Sequence, residues 1–226
     1  MNLLILGKGK TGSLVAEIAR ERRHHVSIAA SADNESCAAL TPDRLHGIDA
    51  VIDFTTPQTA VPHIEACVRA SKCIVVGTTG WYGELPRVEE LASKAQSGVL
   101  YGANFSVGVN LFYAAVQTAA EALRYGYSGQ IFERHHKHKK DAPSGTAAKM
   151  QHIVRRTSGV EVEITSFREG EVVGMHEFIL NSGSDRIYLC HDASSRRGFA
   201  EGAVRGAEWL TGKHGLFDFQ DVWREL

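Results

Sequence analysis

The chain has 226 residues, enough to bury a large core as one domain or two, and its 25 basic against 26 acidic residues leave a formal net charge of −1. That balance excludes a dedicated nucleic-acid or membrane-surface protein, whose partners demand a basic excess. The cysteines, Cys37, Cys67, Cys73 and Cys190, form no CxxC pair and no dense framework, which points to a reducing compartment and to small core residues rather than ligands. The apolar run Leu3 to Leu6 is too short for a signal-peptide core, and no later run reaches spanning length. A soluble, cytoplasmic protein is expected, with no nucleic-acid partner, no membrane and no metal.

Asn2 to Leu6 is apolar without alternation, as in a strand buried on both faces of a parallel sheet. Gly7-Lys8-Gly9-Lys10-Thr11-Gly12 follows at once, then a helical pattern through Leu14, Val15, Ile18 and Ala19. Glycines between a strand and a helix permit a tight turn and close approach of backbone to a pyrophosphate, so this loop points to a dinucleotide fold; an ordinary glycine-rich turn is the alternative. A second strand, His25 to Ala30, ends near Asp33. Asp33 suits the adenosine ribose, and equally a turn or a helix cap. No arginine stands close by to take a 2′-phosphate, and the choice between NADH and NADPH stays open. Buried strands follow at Asp49 to Phe54, Cys73 to Val76 and Val99 to Ala103, with a helix from about Thr59 to Ala70. Their small or hydroxyl-bearing turns gather at the carboxyl edge of one parallel sheet, where ligands bind.

Beyond Asn104 the pattern changes. Val109 to Arg124 reads as one long helix, Ser128 to His135 as a strand and Ala147 to Arg156 as a helix. Alternation at Val160, Val162 and Ile164, at Val172 and Val173, at His176 to Leu180 and at Asp185 to Cys190 predicts a mostly antiparallel sheet. Phe199 to Leu210 returns to helix and Gly215 to Asp218 closes the chain. The expected fold class is α/β: a Rossmann-type dinucleotide-binding domain, residues 1–105 with 196–226, plus an α+β substrate-binding and oligomerisation domain with a mixed, mostly antiparallel sheet, residues 106–195.

The stretch Glu133 to Thr146, ERHHKHKKDAPSGT, places His135, His136 and His138 among Lys137, Lys139 and Lys140 and then opens a helix near Ser144. Dense positive charge beside the free N–H groups of a helix start holds carboxylates, and imidazole supplies protons near neutral pH. A solvated charged face, a zinc site on the three histidines and a nucleic-acid patch are the competing readings.

The same stretch resembles the signature E-x-H-H-x-x-K-x-D-A-P-S-G-T-A of the 4-hydroxy-tetrahydrodipicolinate reductase family, and it is complete from Glu133 to Ala147. Supporting blocks stand in the family's order: VIDFTTP at 51–57, VVGTTGW at 75–81, ANFSVGVNL at 103–111, VVGMHEF at 172–178, SSRRGFAEGA at 194–203 and GLFDFQDV at 215–222. The glycine loop departs from the family's usual GxxGxMG by one residue, and Thr56 stands where arginine is frequent. The resemblance implies an NAD(P)H-dependent reductase of a small dicarboxylate, a homo-oligomer of tetrameric type. It implies His135 as proton donor and Lys139 as second catalytic group. Substrate contacts fall on His136, Ser144, Gly145, Thr146 and Arg196, the last equally a surface residue. Cofactor contacts fall on Gly7, Lys8, Gly9, Lys10, Thr11, Gly12, Asp33, Phe54, Gly77, Thr78, Thr79, Gly102, Ala103, Asn104, Phe105 and Phe199. A dehydrogenase of another small amino or imino acid and a nucleotide-sensing module without chemistry are the alternatives; the first needs no complete dicarboxylate cradle, and the second predicts damage at His135 or Lys139.

Overall fold

The computed structural model describes residues 1–226. The first half runs β1 (Asn2–Leu6), α1 (Lys10–Glu21), β2 (His25–Ala29), a 3₁₀ segment (Ser31–Leu40), α2 (Pro42–Leu45), β3 (Ala50–Asp53), α3 (Pro57–Arg69), β4 (Cys73–Val76), α4 (Leu85–Ser93) and β5 (Gly98–Tyr101). Then come α5 (Val107–Ala120), β6 (Ser128–His135), α6 (Gly145–Ser158), β7 (Glu163–Arg168), β8 (Met175–Asn181) and β9 (Arg186–Asp192). The chain closes with α7 (Arg197–Leu210), β10 (Gly215–Asp218) and α8 (Phe219–Val222). Two compact units result, Met1–Val107 with Arg197–Leu226, and Gly108–Arg196.

In the first unit six parallel strands lie in the order β10-β5-β4-β3-β1-β2, a Rossmann-like sheet. Burial on both sides explains why its strands show no alternation. Leu3, Ile5, Ile52, Val75 and Leu100 pack with residues of α1 and α7, while Leu4, Leu6, Val51, Ile74 and Val99 pack with residues of α3 and α4. The strand order reverses between β1 and β3, the switch point at which such sheets bind ligands.

The second unit holds a four-stranded sheet, β7-β6-β8-β9, in which β6 and β7 are parallel and the other two pairings antiparallel. α5 and α6 contribute Phe112, Val116, Met150 and Val154 to the core against its inner face. The alternation of each strand fixes what that face offers. One row across the sheet is apolar, with Ile131 opposite Phe178 and Phe178 opposite Leu189. Two residues along it turns polar, with Glu133 opposite His176 and His176 opposite His191.

Several sequence expectations need correction. α5 ends at Ala120, and a 3₁₀ turn, Glu121–Tyr125, continues to Gly126 at φ +86°. Val160 and Val162 precede β7 rather than belonging to it; Gly159 closes α6 in the left-handed conformation and the buried Val162 packs as a loop residue. Val172 is no strand residue either, yet its carbonyl accepts from His136 N at 2.7 Å, so the segment serves the basic loop. Gly215–Asp218 is a sixth parallel strand beside β5. Cys67 and Cys73 are buried, whereas Cys190 is exposed because it falls on the outer side of β9's alternation. No helix is long and apolar enough to cross a membrane.

Candidate functional site

In the first unit the turns after β1, β3 and β4 enclose a cleft of about 340 Å³, lined by Gly9–Gly12, Phe54, Thr55, Pro57 and Gly77–Thr79. Gly9 caps α1 without any capping side chain, which leaves that helix start open to an anion. Gly7 adopts φ +98°, and a Cβ on Gly12 would lie 2.1 Å from the Gly7 carbonyl oxygen, so the turn accepts only glycine at both positions. A Cβ on Gly77 would meet the Phe54 ring at 2.1 Å, so glycine there lets that ring lie against the turn. The cleft is therefore narrow, backbone-lined and cationic at Lys10, a good fit to a dinucleotide pyrophosphate.

Beneath the cleft lies a polar cluster that sequence reasoning missed. Asp53, fully buried, accepts at Oδ1 from Thr55 N (2.8 Å), Thr55 Oγ1 (2.6 Å) and Thr78 Oγ1 (3.2 Å) and pairs through Oδ2 with His63 Nδ1 at 2.8 Å. His63 Nε2 lies 2.9 Å from Asn34 Nδ2, and Asn34 Oδ1 accepts from Ala39 N. Thus β3, the turn after β4 and the 3₁₀ segment after β2 are tied to one buried carboxylate. The signal was the acidic residue inside an otherwise apolar strand.

The remaining predicted cofactor residues lie elsewhere in the same unit. Asp33 is exposed, and one of its carboxylate oxygens accepts from Ala30 N at 3.2 Å in the turn after β2. Phe105 is 2% exposed and packs on Phe219 at 4.6 Å, so its ring belongs to the core. Gly102 is buried against Phe219, Asn104 Oδ1 accepts from Ser106 N, Ala103 is exposed and Phe199 is half-buried in α7. Lys8 is exposed beside the glycine turn.

In the second unit the polar row of the sheet, the basic loop and the start of α6 converge. His135, 8% exposed, ends β6, and its Nδ1 is hydrogen-bonded to Glu133 Oε2. Arg168 Nη2 on β7 donates to Glu133 Oε1 and to the Asp141 carbonyl, both at 2.7 Å. Lys139 Nζ donates to both Asp141 carboxylate oxygens at 2.8 Å. Ser144 caps α6, accepting from Ala147 N, and its hydroxyl lies 3.1 Å from His176 Nε2. The rings of His135 and His176 stand edge-on at 5.1 Å. A Cβ on Gly174 would lie 3.0 Å from His135 Nε2, so glycine there keeps that nitrogen uncovered.

The electrostatics follow from burial and partners. Burial alone would raise Glu133, but hydrogen bonds from Arg168, Ser166 and His135 outweigh it and hold the carboxyl below its usual range. Burial pushes His135 down, with Lys139 and Arg168 adding to the effect, while Glu133 opposes it. His176 is pushed down to about 3 by burial and by its neighbours His135 and His191, and stays neutral. Burial raises Tyr113 to about 12, and its hydroxyl shares a hydrogen bond with Thr146. Glu133, His135 and His176 present ligand atoms within 4.8 Å of one another. Glu133 and His135 are engaged with each other, and the Arg168 cation sits on the same carboxylate.

Of the predicted residues, His135, Lys139, Ser144, Gly145 and Thr146 come together here. His136 stands beside them with Nδ1 buried and unpartnered, and its ring faces His138. Arg196 is exposed at the end of this unit, and Lys137, His138 and Lys140 are exposed on the loop. Glu133, Arg168, Gly174 and His176 were missed as site residues.

Residues 1–105 match the family described as Dihydrodipicolinate reductase, N-terminus, and residues 108–223 match Dihydrodipicolinate reductase, C-terminus. The chain is 35% identical over 240 residues to a 4-hydroxy-tetrahydrodipicolinate reductase of Christiangramia forsetii, covering 100% of this chain and 99% of that one. It is 37% identical over 194 residues to the enzyme of that name from Neisseria meningitidis, covering 77% and 72%. Among solved structures, a dipicolinate-bound dihydrodipicolinate reductase from Paenisporosarcina sp. TG-14 is similar in fold, with TM-score 0.81 and 20% identity over 98% of this chain and 99% of that one.

Proposed function

The chain belongs to the dihydrodipicolinate reductase family, and from that premise we propose that it reduces 4-hydroxy-tetrahydrodipicolinate to tetrahydrodipicolinate in lysine and diaminopimelate biosynthesis, one hydride and one proton being added and the 4-hydroxyl leaving as water. The observation that carries this reading is the convergence of His135, Lys139 and the N-terminal turn of α6 in one place. Two carboxylates on one small ring need two cationic or N–H-rich partners, and a reduced ring needs a proton. A nicotinamide dinucleotide, NADH or NADPH, supplies hydride when bound, and the Gly7–Gly12 loop with Phe54 and Gly77–Thr79 fits its pyrophosphate. Asp33, Gly102–Phe105 and Phe199 complete the proposed cofactor set, Phe105 through its backbone because its ring is buried in the core.

His135 donates the proton. Burial keeps its ring neutral at pH 7, and the arriving dicarboxylate favours the imidazolium form. Lys139 trades the Asp141 carboxylate for one on the substrate, and the N–H groups at Gly145 and Thr146, with Ser144 and His136, receive the other. Arg196 stands at the end of this unit as a further anion contact. Thr146 acts through its N–H, since its hydroxyl is engaged by Tyr113.

The proposal includes a homo-oligomer of four, and the outer face of the second unit's sheet supports association with another copy. Phe132 and Phe167 stack there, and Phe167 and Tyr188 are 40% and 52% exposed, an apolar surface suited to another copy. Sedimentation at a monomer's rate would end that assignment. A cytoplasmic setting is part of the same proposal, supported by four cysteines that form no disulfide.

The deciding experiment supplies purified protein with the coupled synthase's product and either reduced nicotinamide. Oxidation of the nicotinamide dependent on that product is expected, and the ratio of kcat/KM values ranks NADH against NADPH. No oxidation with either removes the proposal.

A further inference from the structure

We propose that Glu133 is a positioning residue for the reductase reaction: it fixes the His135 ring with Nδ1–H pointed at its carboxylate, leaves Nε2 as the reactive nitrogen, and stabilises the imidazolium that donates the proton. The inference rests on the reductase reading above and adds a residue to its machinery.

Packing gives Glu133 no reason to be acidic. It lies on the inner face of β6, with a fully buried side chain, one alternation step from Ile131 in the apolar row. A buried carboxylate costs several kcal/mol unless partnered, and an apolar residue would continue the core at no such cost. Its partners are instead arranged in a chain: Arg168 on Oε1, His135 on Oε2, and Ser166 as a third donor. Because an ionised carboxylate only accepts, His135 Nδ1 must carry the proton in that bond, and the lone pair or the donated proton is then confined to Nε2. Nε2 is the nitrogen that Gly174 leaves uncovered. Arg168 has a second task. Holding Glu133 ionised, it prevents the buried carboxyl from taking the proton itself, and the same nitrogen binds the Asp141 carbonyl on the loop that carries Lys139.

The charged and titratable groups facing His135 are Glu133 on its own strand, Arg168 on β7, His176 on β8 and Lys139 on the loop. Glu133 alone among them favours the protonated ring. Burial, Lys139 and Arg168 oppose it, and His176 would add a like charge if it were protonated.

The test is the pH profile of kcat in Glu133→Gln. Glutamine keeps an oxygen for Nδ1–H, so the ring stays oriented while the charge is lost. The limb on which activity falls as pH rises should move about 1 unit or more toward acid, the usual effect of one close opposite charge. Turnover at pH 7 should fall about tenfold or more with it and recover as the pH is lowered, with KM for the nicotinamide unchanged. Glu133→Ala loses the orienting acceptor too and should not recover at low pH. In the unsubstituted protein the nitrogen NMR shifts of His135 should report the Nδ1–H tautomer, a readout that needs no Glu133 variant to fold. An unmoved limb in Glu133→Gln, whether turnover is normal or reduced, makes Glu133 structural only and overturns the inference, as does an Nε2–H tautomer at His135 in the unsubstituted protein. Inactive wild-type protein would instead defeat the reductase reading, so the two failures are distinguishable.

Discussion

His135→Gln should lower kcat by about 10²–10⁴-fold, the range that a positioned general acid contributes, while the dissociation constant for a dicarboxylate analogue changes little. The asymmetry follows from geometry. His135 is 8% exposed and its Nδ1 faces Glu133, so only the Nε2 edge meets a ligand, and an amide of similar size fills the same space without a titrating proton. Lys139 differs, because its Nζ holds a carboxylate with both oxygens at 2.8 Å and is placed to do the same for the substrate. Lys139→Ala should therefore raise KM as well as lower kcat. Loss of a charge-assisted hydrogen bond of about 1.5–3 kcal/mol corresponds to about 10–100-fold in kcat/KM. Steady-state kinetics together with equilibrium binding of dipicolinate separate the two patterns. If His135→Gln kept near wild-type turnover, the proton would come from another group.

Phe219→Ala should destabilise the first unit by about 3–5 kcal/mol, as for other fully buried aromatic truncations. Phe219 is 0% exposed, packs 4.6 Å from the Phe105 ring, and lies beside Gly102, where an added Cβ would approach it to 2.9 Å. With glycine on that side, nothing there can expand into the void. Urea denaturation should show a lower midpoint, and dinucleotide affinity should fall with it because Phe105 adjoins Phe54 at 6.3 Å. A midpoint shift worth under about 1 kcal/mol would mean that the site collapses around the smaller side chain.

The parts of this molecule that the sequence made legible are those whose signal is local. Leu3 to Leu6, Ala50 to Ile52 and Cys73 to Val76 are apolar runs because both faces of their sheet are covered, and the pattern carries that information. Gly7 and Gly12 were readable because a turn beside a helix start requires them. His135 and Lys139 came through a resemblance, and charge density alone would have left them among their exposed neighbours Lys137, His138 and Lys140. Glu133, Arg168 and His176 were invisible as a group because their meeting depends on register. β6 must pair parallel with β7 and antiparallel with β8 before a glutamate, an arginine and a histidine from three strands share one spot. Val162 misled because a buried valine in a loop carries the same letter as one in a strand. β10 was missed because Gly215 and Asp218 leave only Leu216 and Phe217 as an apolar run, where β4 offers four apolar residues in a row.

The break in the first unit bears on how the chain comes off the ribosome. Ala200, Ala203, Val204, Ala207, Leu210 and Phe219 all belong to the cluster that covers Leu3, Ile5 and Ile52, yet they emerge last. Until then the earliest strands have an oily side with no lid, while Gly108–Arg196 is contiguous and has all of its own core residues to hand. A premature stop or a protease nick after Arg196 would therefore not trim an appendage; it would leave the oldest part of the polypeptide unfinished and prone to stick to its neighbours.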